Sequence, residues 1–393
     1  MGTVRLALVL LVATLPLGAR ASDRELALAD EVRELRQSVR VLAEELERVR
    51  IQVAVPDDPE LKSRYGMGPA ASRIYGISRG LSLGGYAEGF YRNRIGDADS
   101  DDHDEADLLR MVLYLGYKFS DRILFSSELE FEHATTSANF DGEEGSISVE
   151  LASLDFLLHP SIGIRTGLLL VPMGFLNEIH EPPFYYGTQR PEPEVRIIPT
   201  TWRENGVGIF GRLGESLEYR AYVINGLKAE DFSSSGLSGG RQKGNRTLAN
   251  DLAFIARVDF TPRPGLLVGA SYYTGDSGQD RDNSVGTPLP DAPTSLFEVH
   301  AQYERGNLHA RGLYTQAHVS SAGTLSNVLG LASNRPVARK MIGGYGEVAY
   351  NILPLLFPGS EMSLSPFFRF EYVDTQKEIP NGFGRDGTAR KRI

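Results

Sequence analysis

Cysteine is absent from all 393 residues, tryptophan occurs once, and lysine plus arginine (41) fall short of aspartate plus glutamate (51). Without cysteine there is no disulfide scaffold, no cysteine-ligated zinc site and no thiol nucleophile. A net charge of −10 argues against a nucleic-acid binder, which needs a basic face. Past the N-terminus no apolar run is long enough for a membrane-spanning helix. A mean hydropathy of −0.22 agrees with that. A transmembrane β-barrel is still allowed, because its alternating strands average to a polar value. What the chain does have is 42 glycines, 17 tyrosines and 18 phenylalanines in a sequence that is 41% hydrophobic, which argues for a folded chain.

The first 21 residues read as a secretory signal. Arg5 gives the basic start, Leu6 to Leu17 the short apolar stretch, and Ala19-Arg20-Ala21 the cleavage site. Export follows, and in a bacterium the periplasm or outer membrane is the default destination. Residues 22–52 are different. Leu28, Val32, Leu35, Val39, Leu42, Leu46 and Val49 alternate spacings of four and three, an a/d seam of about three heptads with Glu and Arg between. The seam predicts a short periplasmic coiled coil that joins copies of the chain; a helix packed on its own barrel is the alternative. Pro56, Pro59, Pro69 and several glycines make residues 53–80 a linker.

From residue 81 the apolar period is two. Met111, Leu113, Leu115, Tyr117 and Phe119 oppose Arg110, Val112, Tyr114 and Lys118; Leu252, Phe254, Ala256, Val258 and Phe260 oppose Asp251, Arg257 and Asp259. Thirteen strands are expected, at about 81–93, 106–119, 122–133, 145–158, 162–171, 205–213, 216–226, 250–260, 265–274, 295–304, 308–318, 341–351 and 363–374. Tight turns such as Ser120-Asp121, Gly214-Glu215 and Arg305-Gly306-Asn307 alternate with long polar stretches. Short turns opposite long loops mark an outer-membrane barrel, and a soluble sandwich has no reason for the pattern. Tyr91, Phe119, Phe260, Tyr273 and Tyr303 fall at strand ends, as interfacial girdles require. The fold expected is therefore all-β, a transmembrane antiparallel β-barrel over 81–393. Bacterial single-chain barrels have even strand numbers, so thirteen strands ending at Arg390-Lys391-Arg392-Ile393 predict a chain truncated at its C-terminus.

Three segments carry a resemblance: SELEFEHA at 127–134, GLLLVPMGFLNEIHEPPFYYG at 167–187 and IIPTTWRENGVGI at 197–209. They resemble the phosphate-selective porin O and P type of Gram-negative outer-membrane porins, taken broadly. The resemblance implies a trimeric channel of about sixteen strands when complete, some members carrying a periplasmic coiled coil. It implies outer-membrane lipid, small hydrophilic solutes or anions, and two further copies of the chain as partners. It does not establish phosphate selectivity, which in the family rests on a lumen rich in Lys and Arg.

Residues 172–204 form a connection far longer than usual. Their prolines and aromatics make it rigid, and it follows the fifth strand, where porins fold a loop into the barrel. Glu178, Glu181, Arg190, Arg196 and Arg203 are its candidate constriction charges; an external loop packed between subunits is the alternative. On the strands Glu128, Glu130, Glu132 and Glu150 would form an acidic wall facing Arg165, Arg212, Arg220 and Arg257; salt-bridge padding that stiffens the barrel is the alternative for each. A charge facing lipid at mid-bilayer costs about 2–4 kcal/mol, so these side chains are expected inside.

No catalytic motif survives. His180-Glu181 is followed by Pro182-Pro183, so it is not H-E-x-x-H. The Asp-x-Asp-x-Asp start at 97–101 has Asp102 where a calcium loop needs Gly and Leu108 where it needs Glu. It reads as a solvated external loop, with divalent-ion bridging to lipopolysaccharide as the alternative. No cofactor, metal or nucleic acid is expected. The function expected is passive diffusion across the outer membrane; a barrel that serves as an adhesin or structural anchor is the alternative, and a barrel phospholipase or protease, whose triad needs no long motif, is the other rival. If residues 28–49 join copies of the chain, deleting 22–52 lowers the temperature at which the oligomer dissociates in detergent. An intact chain that native mass spectrometry finds monomeric would contradict this.

Overall fold

The computed structural model describes residues 31–43, 63–93, 104–139, 142–360 and 362–393, in two units spanning 1–52 and 53–393. In the first unit the described residues form one helix, α1, over 31–43. Val32, Leu35, Val39 and Leu42 of the expected seam are exposed on it. Leu28, Leu46, Val49 and the signal segment lie outside the described residues.

The second unit is a single antiparallel sheet whose fourteen strands follow chain order. They are β1 (Gly80–Arg92), β2 (Glu105–Ser120), β3 (Ile123–Glu132), β4 (Ile147–His159), β5 (Ile162–Leu170), β6 (Arg203–Leu213), β7 (Leu217–Asn225), β8 (Leu252–Arg263), β9 (Leu266–Gly275), β10 (Thr294–Arg305), β11 (Leu308–Val319), β12 (Lys340–Tyr350), β13 (Phe367–Glu378) and β14 (Arg390–Arg392). All thirteen expected strands are present, with ends shifted by a few residues. The fourteenth is an addition. Its three residues carry no alternation, and it exists because it pairs with Tyr372–Asp374 of β13, where Asp374 accepts hydrogen bonds from Arg390.

Period-two burial runs through the strands. In β8, Leu252, Phe254, Val258 and Phe260 are exposed while Ala253, Ile255, Arg257 and Asp259 are buried. The same rule corrects one girdle residue. Tyr272 is the exposed neighbour, and Tyr273 is buried against Trp202 with its hydroxyl accepting from the Leu227 amide. Turns at 121–122, 160–161, 214–216, 264–265 and 306–307 are short, and Gly306 meets its turn with φ 57°, a conformation glycine adopts freely. A bulge breaks the β3–β4 register: Glu128 faces Leu151 and Leu129 faces Val149, so Glu150 has no partner.

Residues 63–79, expected within a linker, instead pack on the buried face of β1–β5. A short helix α2 (Pro69–Ser72) starts on Pro69 at its first turn. Beyond it Ile74 and Ile77 are buried with Leu124. Gly116 lets β2 approach Ile74, and the Tyr75 hydroxyl donates to Asp155. The apolar residues of this segment find the inner face of the sheet because water is their only alternative.

A larger apolar cluster fills the long-loop end, where Leu227, Phe232 and Leu237 of the β7–β8 loop meet Trp202, Tyr273, Met341 and Leu325. Leu325 lies on a helix, α4 (Ala322–Val328), numbered after a one-turn helix α3 (Pro193–Arg196).

Ile74→Ala removes the side chain that anchors 63–79. It should cost that segment about 2–4 kcal/mol of docking. Hydrogen exchange should then speed up at 63–79 and stay slow in β7–β11; unchanged exchange at 63–79 would mean Ile74 does not hold it.

Candidate functional site: a loop held inside a rolled sheet

The connection from β5 to β6, residues 171–202, turns onto the buried face of the sheet. Val171, Met173, Leu176, Ile197, Ile198 and Trp202 are buried. Asn177 closes the base of the loop. Its side-chain amide donates to the carbonyls of Val171 (2.7 Å) and Trp202 (2.9 Å), and its Oδ1 accepts the Trp202 amide at 2.6 Å. The one-turn helix α3 lies against β12 and β13.

Polar tethers hold the loop on every side. Glu178 accepts from Arg220 of β7 at 2.5 Å, with Arg257 of β8 at 3.9 Å. His180 Nε2 stands 3.2 Å from Glu128 of β3 and 3.2 Å from Glu150 of β4. Arg311 of β11 donates to the Phe184 carbonyl at 2.6 Å. Arg369 of β13 donates to the carbonyls of Tyr186 (3.0 Å) and Gln189 (3.1 Å). Glu194 accepts the Tyr345 hydroxyl of β12 at 2.7 Å. These contacts show that the sheet is rolled. His180 and Phe184 are four residues apart, at most about 14 Å along the chain. The strands they touch, β3 and β11, would be about 38 Å apart in a flat sheet.

The expected pore charges divide by place. Glu178, Arg220 and Arg257 come together with Asp259, which bonds both arginines. Glu128 and Glu130 are buried beside Tyr114 and Arg110. Glu132 is exposed and accepts the Ser146 hydroxyl at 2.7 Å. Arg165 is buried against Asp155 at 2.7 Å and donates to the Tyr65 carbonyl, so it ties down 63–79 rather than the long loop. Arg203 donates to Glu150 at 2.7 Å. Arg190 bonds Thr200 and Thr201, and Arg196 bonds Glu192, all within the loop. Glu181 is half-buried under Gly68. Arg212 is exposed at the β6–β7 turn. The arginines of β5–β8 thus form no separate wall. Each buried one has a carboxylate of its own, as desolvated charge requires.

The alternation puts Glu150 inside but leaves out several partners. Asp155 and Glu150 are five apart on β4, so a regular strand would put them on opposite faces. The bulge at Glu150 turns both inward. Asn177 and Tyr75 carry no sequence signal beyond their residue type, whereas alternation with Phe297 and Val299 puts His300 inside, where it bonds Glu298 (2.6 Å) and Asp259 (2.9 Å). Gly66 has φ 78°, and a side chain there would strike Glu178 and Arg220, so only glycine lets 63–79 pass beside this pair.

Burial shifts the loop's titrating groups. It raises the carboxyls of Glu178, Glu181 and Glu194 above their usual range, against the pull of Arg220 on Glu178 and of the Tyr345 hydroxyl on Glu194. At His180 burial disfavours the imidazolium, and the charges of Glu128 and Glu150 outweigh it, pushing the group up to about 10. Below the loop a cavity of about 590 Å³ opens at the short-turn end. Phe175, Phe184, Tyr185 and Tyr186 of the loop line it, facing Arg212, Glu218, Arg257 and Arg311.

A rolled antiparallel sheet with apolar residues outside, paired charges inside and a long loop folded onto its inner face is the porin fold. The structure of OmpF from Salmonella typhi in complex with daunomycin superposes with a TM-score of 0.50 at 15% identity, over 79% of this chain and 83% of that one. The outer-membrane channel DcaP of Acinetobacter baumannii gives 0.39 at 14% identity, over 76% and 92%. Both are Gram-negative outer-membrane porins. In sequence the chain is 36% identical over 345 residues to an uncharacterized protein of Aquifex aeolicus (strain VF5), across 86% of this chain and 75% of that protein. The chain belongs to one family with it. No protein-family profile matches the sequence.

Glu178→Gln takes a charge from between two buried arginines. Arg220 keeps Asp259, so the expected loss is about 1.5–3 kcal/mol, the range for a charged hydrogen bond. Thermal unfolding of the detergent-solubilised protein should show it, together with easier proteolysis within 171–202.

Proposed function

We propose that the protein is an outer-membrane channel for passive diffusion of small hydrophilic solutes, with residues 171–202 as its constriction. One observation carries the reading: a single loop is tethered inside the rolled sheet by side chains from β3, β4, β7, β8, β11, β12 and β13. A loop so held narrows a passage without being free to leave it. The apolar outer face suits lipid, and the likeness to the OmpF fold supports the same reading. The export signal expected at 1–21 would deliver the chain to the periplasmic side. The exposed Val32, Leu35, Val39 and Leu42 of α1 are the surface through which three copies would associate.

The resemblance to the phosphate-selective O and P type extends to this architecture rather than to phosphate capture. Capturing phosphate takes Arg or Lys groups with free donors. Here Arg165, Arg203, Arg220 and Arg257 already serve carboxylates, and lysine is nearly absent from the strands. A weakly selective pore is the result.

Planar bilayers test both statements. Purified protein should give stepwise, ohmic conductance, and chloride current should persist as phosphate is added to millimolar levels. Glu130→Gln combined with Glu132→Gln should move the reversal potential toward anions. Absence of conductance from correctly folded protein would sink the channel and favour a structural or adhesive barrel. Phosphate block below a millimolar would overturn the selectivity.

A further inference from the structure

Among the described residues, one buried group of side chains has a geometry that neither the fold nor solute passage explains. Glu128 of β3, Glu150 of β4 and His180 of the long loop are 1%, 2% and 2% exposed. One ligand atom from each lies within 4.8 Å of the other two. His180 Nε2 is 3.2 Å from Glu128 Oε1 and 3.2 Å from Glu150 Oε2. Yet Nε2 and Glu150 Oε2 are buried and make no hydrogen bond. A charge-assisted N–H···O bond would be about 2.7–2.9 Å and aligned with one acceptor. Here the nitrogen pairs with both carboxylates at 3.2 Å and is aligned with neither.

We propose that Glu128, Glu150 and His180 form a divalent-cation site of the zinc class that pins the long loop to β3 and β4. Zinc with N and O ligands at 2.0–2.1 Å sets tetrahedral edges of about 3.3 Å, which the two 3.2 Å separations match. His180 Nδ1 faces the Asn177 carbonyl at 3.3 Å, and a carbonyl can only accept. Nδ1 therefore carries hydrogen, and Nε2, which the two carboxylates hold protonated in the absence of a cation, offers its lone pair to a metal by giving up that proton. The carboxylates are oriented from behind: Tyr114 donates to Glu128 at 3.1 Å and Arg203 to Glu150 at 2.7 Å. Such outer partners orient metal ligands. A fourth corner is left for water.

One further observation points the same way. Glu150 reaches the inner face only because the bulge leaves it without a partner across β3, and bulges recur where a side chain is re-aimed at a site.

The test uses the full chain in detergent, stripped with a chelator and titrated with zinc by calorimetry. Cobalt titration followed by visible absorption is the parallel readout. The expected result is one zinc per chain, and cobalt bands of four-coordinate intensity that zinc abolishes. His180→Gln should remove both signals, while His309→Gln, at a histidine outside the cluster, should keep them. Tyr114→Phe leaves all three ligands in place and should weaken zinc about 10–100-fold, so the proposal stays exposed if His180→Gln fails to fold. No stoichiometric zinc on folded wild-type protein, or unchanged binding in His180→Gln, would overturn it. Neither result bears on conductance, so this site and the channel fail separately.

Discussion

A charge enclosed by a β-sheet must find an opposite charge within reach, and most of this structure follows from that. Removing one partner of a buried pair typically costs about 3–5 kcal/mol, because the other charge is stranded. The inner face of the sheet carries arginines on β5, β7, β8, β11 and β13, and each is answered. Some answers come from the same strand or its neighbour, as with Asp155 for Arg165 and Glu347 for Arg311. Others come from the loop: Glu178 serves Arg220, and loop carbonyls serve Arg311 and Arg369. The loop is held inside because the wall needs its acceptors, and the wall tolerates its charges because the loop is there.

Apolar contact does the rest. Residues 63–79 and the base of the long loop bring Ile74, Ile77, Trp202 and Ile198 against the inner face. They fill the space that a rolled sheet of this many strands would otherwise leave to water. What stays open is the cavity at the short-turn end, with aromatic rings on the loop side and guanidinium and carboxylate groups opposite. A solute entering there meets charges of both signs at close quarters. Such a lining orients a dipole more than it excludes one sign of ion.

A great deal of the fold was legible. The alternation of Leu252 to Phe260 reports a strand with one face outward, and the tight turn at Gly306 reports its hairpin geometry. Each needs only neighbours in the sequence. The charged faces of β3 and β7 were legible for the same reason. Asp155 was not, because one unpartnered residue at Glu150 reverses which face the rest of β4 presents, and a bulge leaves no mark in hydropathy. Tyr273 was misread as interfacial because two adjacent tyrosines end that strand and only one can point outward. Residues 63–79 looked like a linker because their prolines and glycines do break regular structure. That they pack nonetheless depends on the inner face of β1–β5, strands that come after them in the chain.

The sequence by itself determined the strands, their alternation, the unusual length of the 171–202 connection and the kinds of charge on each face. All of these are local, written in periods of two and in turn residues. Only the tertiary structure decided which charge meets which. His180, Glu128 and Glu150 are separated by 22 to 52 positions, and they meet because the sheet rolls and the loop turns inward. A pairing of that kind is settled by closure of long loops around a buried face, where desolvation sets the cost of every unmatched group. No window of the sequence contains it.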